Sequence, residues 1–598
     1  MTCTPEPARR RHGLIAALLL VAIAGCAGPA EREAPLGRAQ EALARGDGVA
    51  AEAALRDALD AGVPQPELAA SLGRAELLQN DLLAARQWLG PEKFSAETQG
   101  EGYSALGELE YRAGNLPASG RAFDKALAAG GESIALWVAI ARLRYRGGEQ
   151  LQAIEAADRA LALGPDDPAA LELRAQLLRD AGDMPRALAL LDRALALAPD
   201  DSNLLVERAS TLGDLGQARA ALRDIRRLTE LAPKDQRAFY LQAVIAARGG
   251  DFRLARTLLL RSGEIERRVP AAILLSAITD LENGNPEAAA SQLSRLRRLQ
   301  PDNARVTLLL ARALAAGGAN EELVYRFAIP ARRDSAAPYL QLLVGRAYEQ
   351  LGDRRTAALY LDAAARPRDS LALVPIAPDG SLDGARSRGA ATPRDALMLV
   401  RGLVASGQGA EAVRVAEANL ARAPGSFDAL LLAGDAALAG GGPSAALAHY
   451  RRAAEIRLSW PLVERLLAVT RRTGEGDAER LLAAYAARAP MDGLAARELA
   501  RLRLARGELA ASAEPAARAI RLRPRDPAAW ALRADQALAA GQASAAETYA
   551  RRAFRLHRAD PAIRRTLASA LEAAGAGNPA APLNVTLAQA TRGQLARR

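Results

Sequence analysis

The sequence predicts an all-α solenoid: about fifteen stacked helix pairs arranged in two arrays. Three observations lead there. Gly46, Asn80, Gly114, Gly148, Gly182, Gly216, Gly250, Gly284, Gly318 and Gly352 follow one another at intervals of 34 residues without drift, the mark of a tandem repeat. Five residues after each turn residue comes a small or short side chain (Ala51, Ala85, Ser119, Ala153, Ala187 and so on), and four further a larger apolar one such as Leu55, Leu89, Phe123, Leu191 or Ile225. Many copies then close on proline, at Pro165, Pro199, Pro233 and Pro301.

Each feature has a mechanical reason. Glycine ends the first helix because it tolerates the left-handed conformation. The following residue, Asp47, Asp81, Asn115, Glu149, Asp183, Gln217, Asp251 or Asn285, is placed to cap the second helix. The small residue lets two helices approach, and the large one a turn later fills the gap on the same face. Proline stops the second helix. One pair cannot bury its apolar face alone, so neighbours stack.

The pattern resembles the tetratricopeptide repeat, whose 34-residue unit carries W-x₂-L-G-x₂-Y, A-x₃-F and P. Trp137 and Trp530 take the Trp position, Gly107, Gly345 and Tyr348 the small and aromatic first-helix positions, and Ala153, Ala157, Ala160 and Pro165 complete one copy. The resemblance implies a right-handed α-solenoid that binds proteins through a concave groove lined by first helices. With the turn residue at position 15 of each repeat, it implies groove-facing positions 2, 5, 9 and 12. In the first array these yield Tyr111, Arg142, Tyr145, Arg179, Asn203, Arg237, Tyr240, Arg312, Tyr339 and Arg346, with Glu108, Gln176, Arg305 and Glu349 beside them. Arginine offers a planar fork to carboxylates and tyrosine a flat face with a polar tip. The expected occupant is an acidic protein segment or an anionic polysaccharide, with Tyr111 and Tyr145 side by side.

Domain organisation follows from the register. After Gly352 the next turn is Gly407, which leaves 21 extra residues. The surplus falls in a stretch rich in Pro, Gly, Ser and Asp, so 37–366 is a first array, 367–393 a linker or loop insertion, and 394–577 a second array. The second runs through Gly407, Gly441, a degenerate copy at Thr473-Gly474, Gly507 and Gly541, and Gly575 closes a terminal capping helix. Residues 578–598 carry no repeat and are expected to form a flexible tail.

The N-terminus is an address. Residues 1–25 have a basic start (Arg9, Arg10, Arg11) and an apolar run from Leu14 to Ile23 too short to span a bilayer. Ile23-Ala24-Gly25-Cys26 resembles a bacterial lipobox, which implies cleavage before Cys26, acylation of its thiol, and a lipidated tether over 26–36. Two or more acyl chains make a stable anchor. Ala27 after the cysteine resembles the sorting signal for the outer membrane, on the periplasmic side.

Composition narrows the chemistry. The chain has 3 histidines and 2 cysteines, too few for a Cys- or His-rich metal site, a disulfide framework or a Cys/His dyad. The net charge of +10 is spread over 598 residues, which does not suggest nucleic acid. The phosphate-loop, nucleophile-elbow and S-x-x-K motifs are missing. His449 and His557 lie 108 residues apart and would meet only if the chain folded back, which a solenoid is not expected to do. No catalytic residue, metal site or cofactor is expected, and the chain reads as a scaffold, not an enzyme. The anchor and the long array together resemble lipoproteins of exopolysaccharide export and exosortase systems, which implies a porin or a polysaccharide synthesis complex as partner. The alternatives are a lipoprotein of outer-membrane protein or secretin assembly, and a solenoid that binds saccharide directly.

Overall fold

The computed structural model describes residues 29–91, 93–130, 132–301, 303–333, 336–365, 382–474, 476–558 and 560–575. The leader 1–25, Cys26, residues 367–381 of the linker and the tail 578–598 lie outside them. Among the described residues there are 33 helices and no strands. Thirty form fifteen antiparallel pairs; the others are Glu264–Arg268, Leu382–Arg388 and a closing helix Pro561–Ala573. No described helix is long and apolar enough to cross a membrane.

The turn rule holds throughout. Every turn glycine named above has positive φ, between +70° and +84°, and Asn80 at +61° is the one non-glycine in that region among the described residues. Asparagine tolerates the left-handed region better than other side chains, so the single departure from glycine obeys the same constraint. Gly575 at +70° closes the terminal helix.

The core follows the predicted pair of positions. Ala51, Ala85, Ser119, Ala153, Ala187, Ala221, Ala255, Ala289 and Leu323 are fully buried, as are Leu55, Phe123, Leu191, Ile225, Leu259, Leu293 and Phe327. The approach is tightest where the first helix carries glycine. A β-carbon on Gly107 would sit 2.3 Å from the Phe123 ring, and one on Gly434 2.3 Å from the Tyr450 ring. A flat ring then lies directly on helix backbone, which an alanine would prevent.

Capping follows side-chain length at most of these positions, Asn285 being a short side chain that makes no cap bond although its place predicts one. Asp47, Asp81, Asp183 and Asp251 accept a backbone N–H from their own second helix. Glu149, Gln217, Gln408, Glu508 and Gln542 stand at the same place and make no such bond. The extra methylene carries their polar atoms past the N–H groups that aspartate reaches. Of the acidic pairs at repeat boundaries, the second member caps (Asp167, Asp201) and the first pairs with an arginine on the second helix of the repeat that follows: Asp166 with Arg193, Asp200 with Arg227.

Two short helices were not expected. Gly263, with φ +55°, breaks one second helix after Arg261 and starts Glu264–Arg268. The range read as linker contains Leu382–Arg388, which packs against Pro393–Ala405 and buries Ala385. Likewise the first described helix begins at Pro29, inside the range read as tether.

By contact the chain divides into two units, Met1–Glu132 and Ser133–Arg598. The first holds three helix pairs with cores around Leu55, Leu72 and Leu109. In it the second helix Leu82–Trp88 is short, and Phe94 completes the core by packing edge-on to Tyr103 at 5.5 Å. The second unit holds the other twelve pairs. The stretch 367–393 falls inside it, because repeats on the two sides of that stretch touch.

That contact corrects the expectation that a solenoid does not fold back. Leu151 N–H donates to the Gly425 carbonyl at 3.2 Å, and Phe427 N–H to Gln150 Oε1 at 3.2 Å across 277 residues of sequence, about eight repeats. Further along, Gly216 meets Met491, Arg488 approaches Asp183 at 3.9 Å, and Arg525 reaches Glu282 at 3.4 Å. A small rotation at each repeat accumulates until distant copies meet.

Candidate binding cavity of the second unit

The sequence-predicted groove residues come first. Tyr111 lies half-buried on Gln99–Arg112 of the first unit; the other nine lie in the second. Four of the five arginines have partners within the chain. Arg179 pairs with Glu207 and reaches Ser210 Oγ at 2.6 Å and Asp214 at 3.4 Å. Arg237 binds Asp235 at 2.7 Å and Asn203 Oδ1 at 2.8 Å. Arg312 meets Glu282 at 2.9 Å, and Arg346 meets Glu349 at 2.5 Å. Arg142 is exposed, and its charge offsets part of the burial that raises the Glu172 carboxyl.

The tyrosines differ among themselves. Tyr145 OH donates to Asp180 of the next repeat; partial burial first, and that carboxylate second, push its phenol up to about 12. It borders a small cavity of about 70 Å³ with Asp180, Phe427 and Arg457, where distant repeats meet. Burial raises the Tyr240 phenol. Tyr339 is 44% exposed. The first-array face is therefore a ladder of ion pairs more than a row of open guanidinium groups. The sign was in the sequence: Asp180, Asp214 and Glu282 each stand two residues before a turn glycine.

A larger cavity lies further along the same unit. Its volume is about 1110 Å³. Helix Pro393–Ala405 starts with proline at its first position and Thr392 as cap, accepting from Asp395 N–H at 3.1 Å. It presents Arg394, Leu397, Arg401 and Val404 to the cavity. Helix Phe427–Ala439, capped by Ser426, presents Asp428, Leu431, Leu432 and Asp435. Pro461 and Arg465 of Trp460–Thr473 close one end, and Gly147, Gly148 and Gln150 from the folded-back repeat form a further wall.

These residues obey the groove rule applied above only to the first array. Positions 2, 5, 9 and 12 of the Gly407 repeat are Arg394, Leu397, Arg401 and Val404; positions 2, 5 and 9 of the Gly441 repeat are Asp428, Leu431 and Asp435. The register therefore identifies this lining from sequence, although sequence alone does not supply the wall from Gly147 to Gln150.

The floor is aliphatic, and no aromatic ring lines it among the described residues. Its polar anchor is a triad of buried Asp435 and Tyr450 with half-buried Arg465. Asp435 receives Arg465 Nε at 2.6 Å and Nη2 at 2.8 Å, a two-pronged contact, and Tyr450 OH at 2.7 Å. Burial first, then the Asp435 charge, hold the Tyr450 phenol far above its usual range. Asp435 and Arg465 pair with each other, and Arg394, Arg401 and Asp428 are the other charged residues of the lining. His449 Nε2 lies 2.8 Å from Glu417, and His557 sits 3.7 Å from the helix cap Asp560. No cluster of three or more potential metal ligands occurs among the described residues.

The profile of the tetratricopeptide repeat matches residues 138–202, 206–267, 274–322 and 397–459. No curated protein matches the chain. Solved structures similar to it include a tetratricopeptide repeat protein from Parabacteroides merdae, 16% identical, covering 45% of this chain and 100% of its own, with a TM-score of 0.32. PilF of Pseudomonas aeruginosa is 18% identical over 36% of this chain and 96% of its own, with a TM-score of 0.31. Cut9 in its hetero-tetramer with Hcn1 is 12% identical over 90% of this chain and 96% of its own, with a TM-score of 0.33.

Proposed function

We infer that this chain, an all-α solenoid of tetratricopeptide repeats and by that fold a protein-interaction scaffold, is a lipid-anchored organiser of the bacterial envelope that holds one partner through the second-unit cavity. The observation that carries this is the cavity's lining: an aliphatic floor of Leu397, Val404, Leu431 and Leu432 between the basic pair Arg394 and Arg401 and the single exposed acid Asp428. Such a surface suits a protein segment with branched aliphatic side chains. Apolar burial supplies the attraction at roughly 25 cal/mol per Å², and the charges fix direction. Saccharides are usually held by stacking on aromatic rings, which this lining lacks, so the floor favours protein over glycan.

The anchor rests on the sequence alone. Acylation at Cys26 would hold the array at the outer membrane, facing the periplasm, where a porin or a polysaccharide synthesis complex is the partner proposed. Crosslinking the native lipoprotein in envelope membranes, beside Cys26→Ser and Leu431→Asp variants, tests both halves. A porin or synthesis complex recovered with the native protein and lost with both variants supports the proposal. A β-barrel or secretin assembly complex in its place moves the protein to outer-membrane assembly. Saccharide recovered without protein ends the scaffold proposal.

A further inference from the structure

We propose that Gln150, Leu151 and Gln152 form a clip that closes the cavity by docking on the turn at Gly425, so that a partner segment enters only when the clip opens. The inference rests on the docking role given to that cavity.

Three consecutive residues make three different contacts. Gln150 Oε1 accepts Phe427 N–H at 3.2 Å. Leu151 donates its N–H to the Gly425 carbonyl at 3.2 Å, and its side chain packs on the core of repeats 385–495. Gln152 lies against the bare α-carbon of Gly425, where a β-carbon would come 2.2 Å from Oε1. Gln150 also lines the cavity beside Gly147 and Gly148, so withdrawal of the clip removes a wall.

The local sequence equips this turn for the task. The first N–H groups of a helix have no partner inside it. Asp183 and Asp251 supply one to their own second helices. Glu149 does not: it makes no cap bond, and its carboxylate is held by Arg144 at 2.6 Å. Leu151 N–H, another of these first unpaired groups, goes to the Gly425 carbonyl of a distant repeat.

The clip is also built to release. Gln152 Oε1 is buried with no hydrogen-bond partner when the clip is shut, and opening returns it to water. The contacts that accompany it include Met491 against Gly216 and the ion pairs of Arg488 with Asp183 and Arg525 with Glu282. Turns, rather than whole helix faces, carry the junction.

The test uses the full chain with Gln152→Cys and Gly425→Cys, since a β-carbon at 425 points at the end of the residue-152 side chain. The probe is 1-anilinonaphthalene-8-sulfonate, an apolar anion, with Leu431→Asp to identify uptake by the cavity. The expected result is at least tenfold slower uptake with the disulfide formed than after reduction. Dye uptake that is measurable in both forms and equally fast overturns the clip. Leu151→Asp, an acid tolerated in the first turn of a helix, is expected to keep its helical circular dichroism and to increase the maximum dimension in small-angle scattering. Unchanged scattering overturns the clip whatever the dye does. If that variant expands while neither cysteine form takes up dye, the clip stands and the docking role of the cavity falls.

Discussion

Tyr450 and Asp435 are joined by a 2.7 Å hydrogen bond beneath the cavity floor, and the glycine beside that acid, Gly434, is what lets the tyrosine ring lie there. A position that the repeat uses only to pack two helices has become the support of a charged group. Tyr450→Phe removes one donor from a buried carboxylate that keeps both Arg465 contacts, so a loss of about 1–2 kcal/mol is expected. Arg465→Ala strands the carboxylate and should lose about 3–5 kcal/mol. Chemical denaturation of the full chain measures both, and Arg465→Ala no worse than Tyr450→Phe would contradict the triad.

Asp280 sets a pH dependence. It is 2% exposed. Burial raises its carboxyl, against the pull of Arg256 at 3.4 Å and a bond from Gln292 at 2.9 Å. Because the folded pKa lies above the unfolded one, the folded state binds the proton more tightly. Asp280 thus favours folding below the unfolded value, near 3.9, and this advantage is lost as pH rises through the folded value. Asp280→Asn removes that loss. The variant's stability relative to the parent should increase from pH 3 to pH 7 in thermal unfolding, and a flat difference would mean that burial does not govern this acid.

Much of this was legible in the sequence, and the reasons are local. Turn glycines, the small residue at Ala153 or Ala187 and the large one at Leu191 or Phe327 act within a single repeat, so spacing alone places them. The cavity lining at Leu397 and Leu431 obeys the same register. What sequence could not supply was the meeting of Leu151 with Gly425. That contact depends on rotations summed over about eight repeats, and its residues, a leucine and a glycine, carry no motif. The ion-pair ladder was half legible: the arginines were counted, while the acids facing them stood at a different position of the repeat.

The ladder separates stability from recognition. Arg179 is 20% exposed in its side chain and shared between Glu207 and Asp214. Arg179→Ala takes the arginine from Glu207, while Asp214 keeps Arg248 at 2.5 Å, with an expected cost of about 1–2 kcal/mol. Arg142 is exposed, and Arg142→Ala should change stability by less than about 0.5 kcal/mol. If the first-array face also attracts an acidic partner, capture from envelope membranes should weaken in Arg142→Ala while unfolding is unchanged. Capture equal to the parent would remove that face from the binding surface.

Glu149→Asp sets the two uses of one N–H against each other. Aspartate at this position is the cap found in neighbouring repeats, where it accepts an N–H from the first turn of its own helix. At 149 it would take Gln152 N–H, as Asp183 and Asp251 take theirs, and, as Asp81 does at Leu83, compete with the Gly425 carbonyl for Leu151 N–H. Restoring a cap is worth about 1 kcal/mol to a helix, and the contact with Gly425 weakens by the same competition. The expected outcome is a helix Gln150–Leu163 no less stable than before, with faster hydrogen exchange at the Phe427 amide as the clip loosens. Slower or unchanged exchange at Phe427 would show that the helix end and the fold-back contact are independent, and that glutamate at 149 has no part in holding distant repeats together.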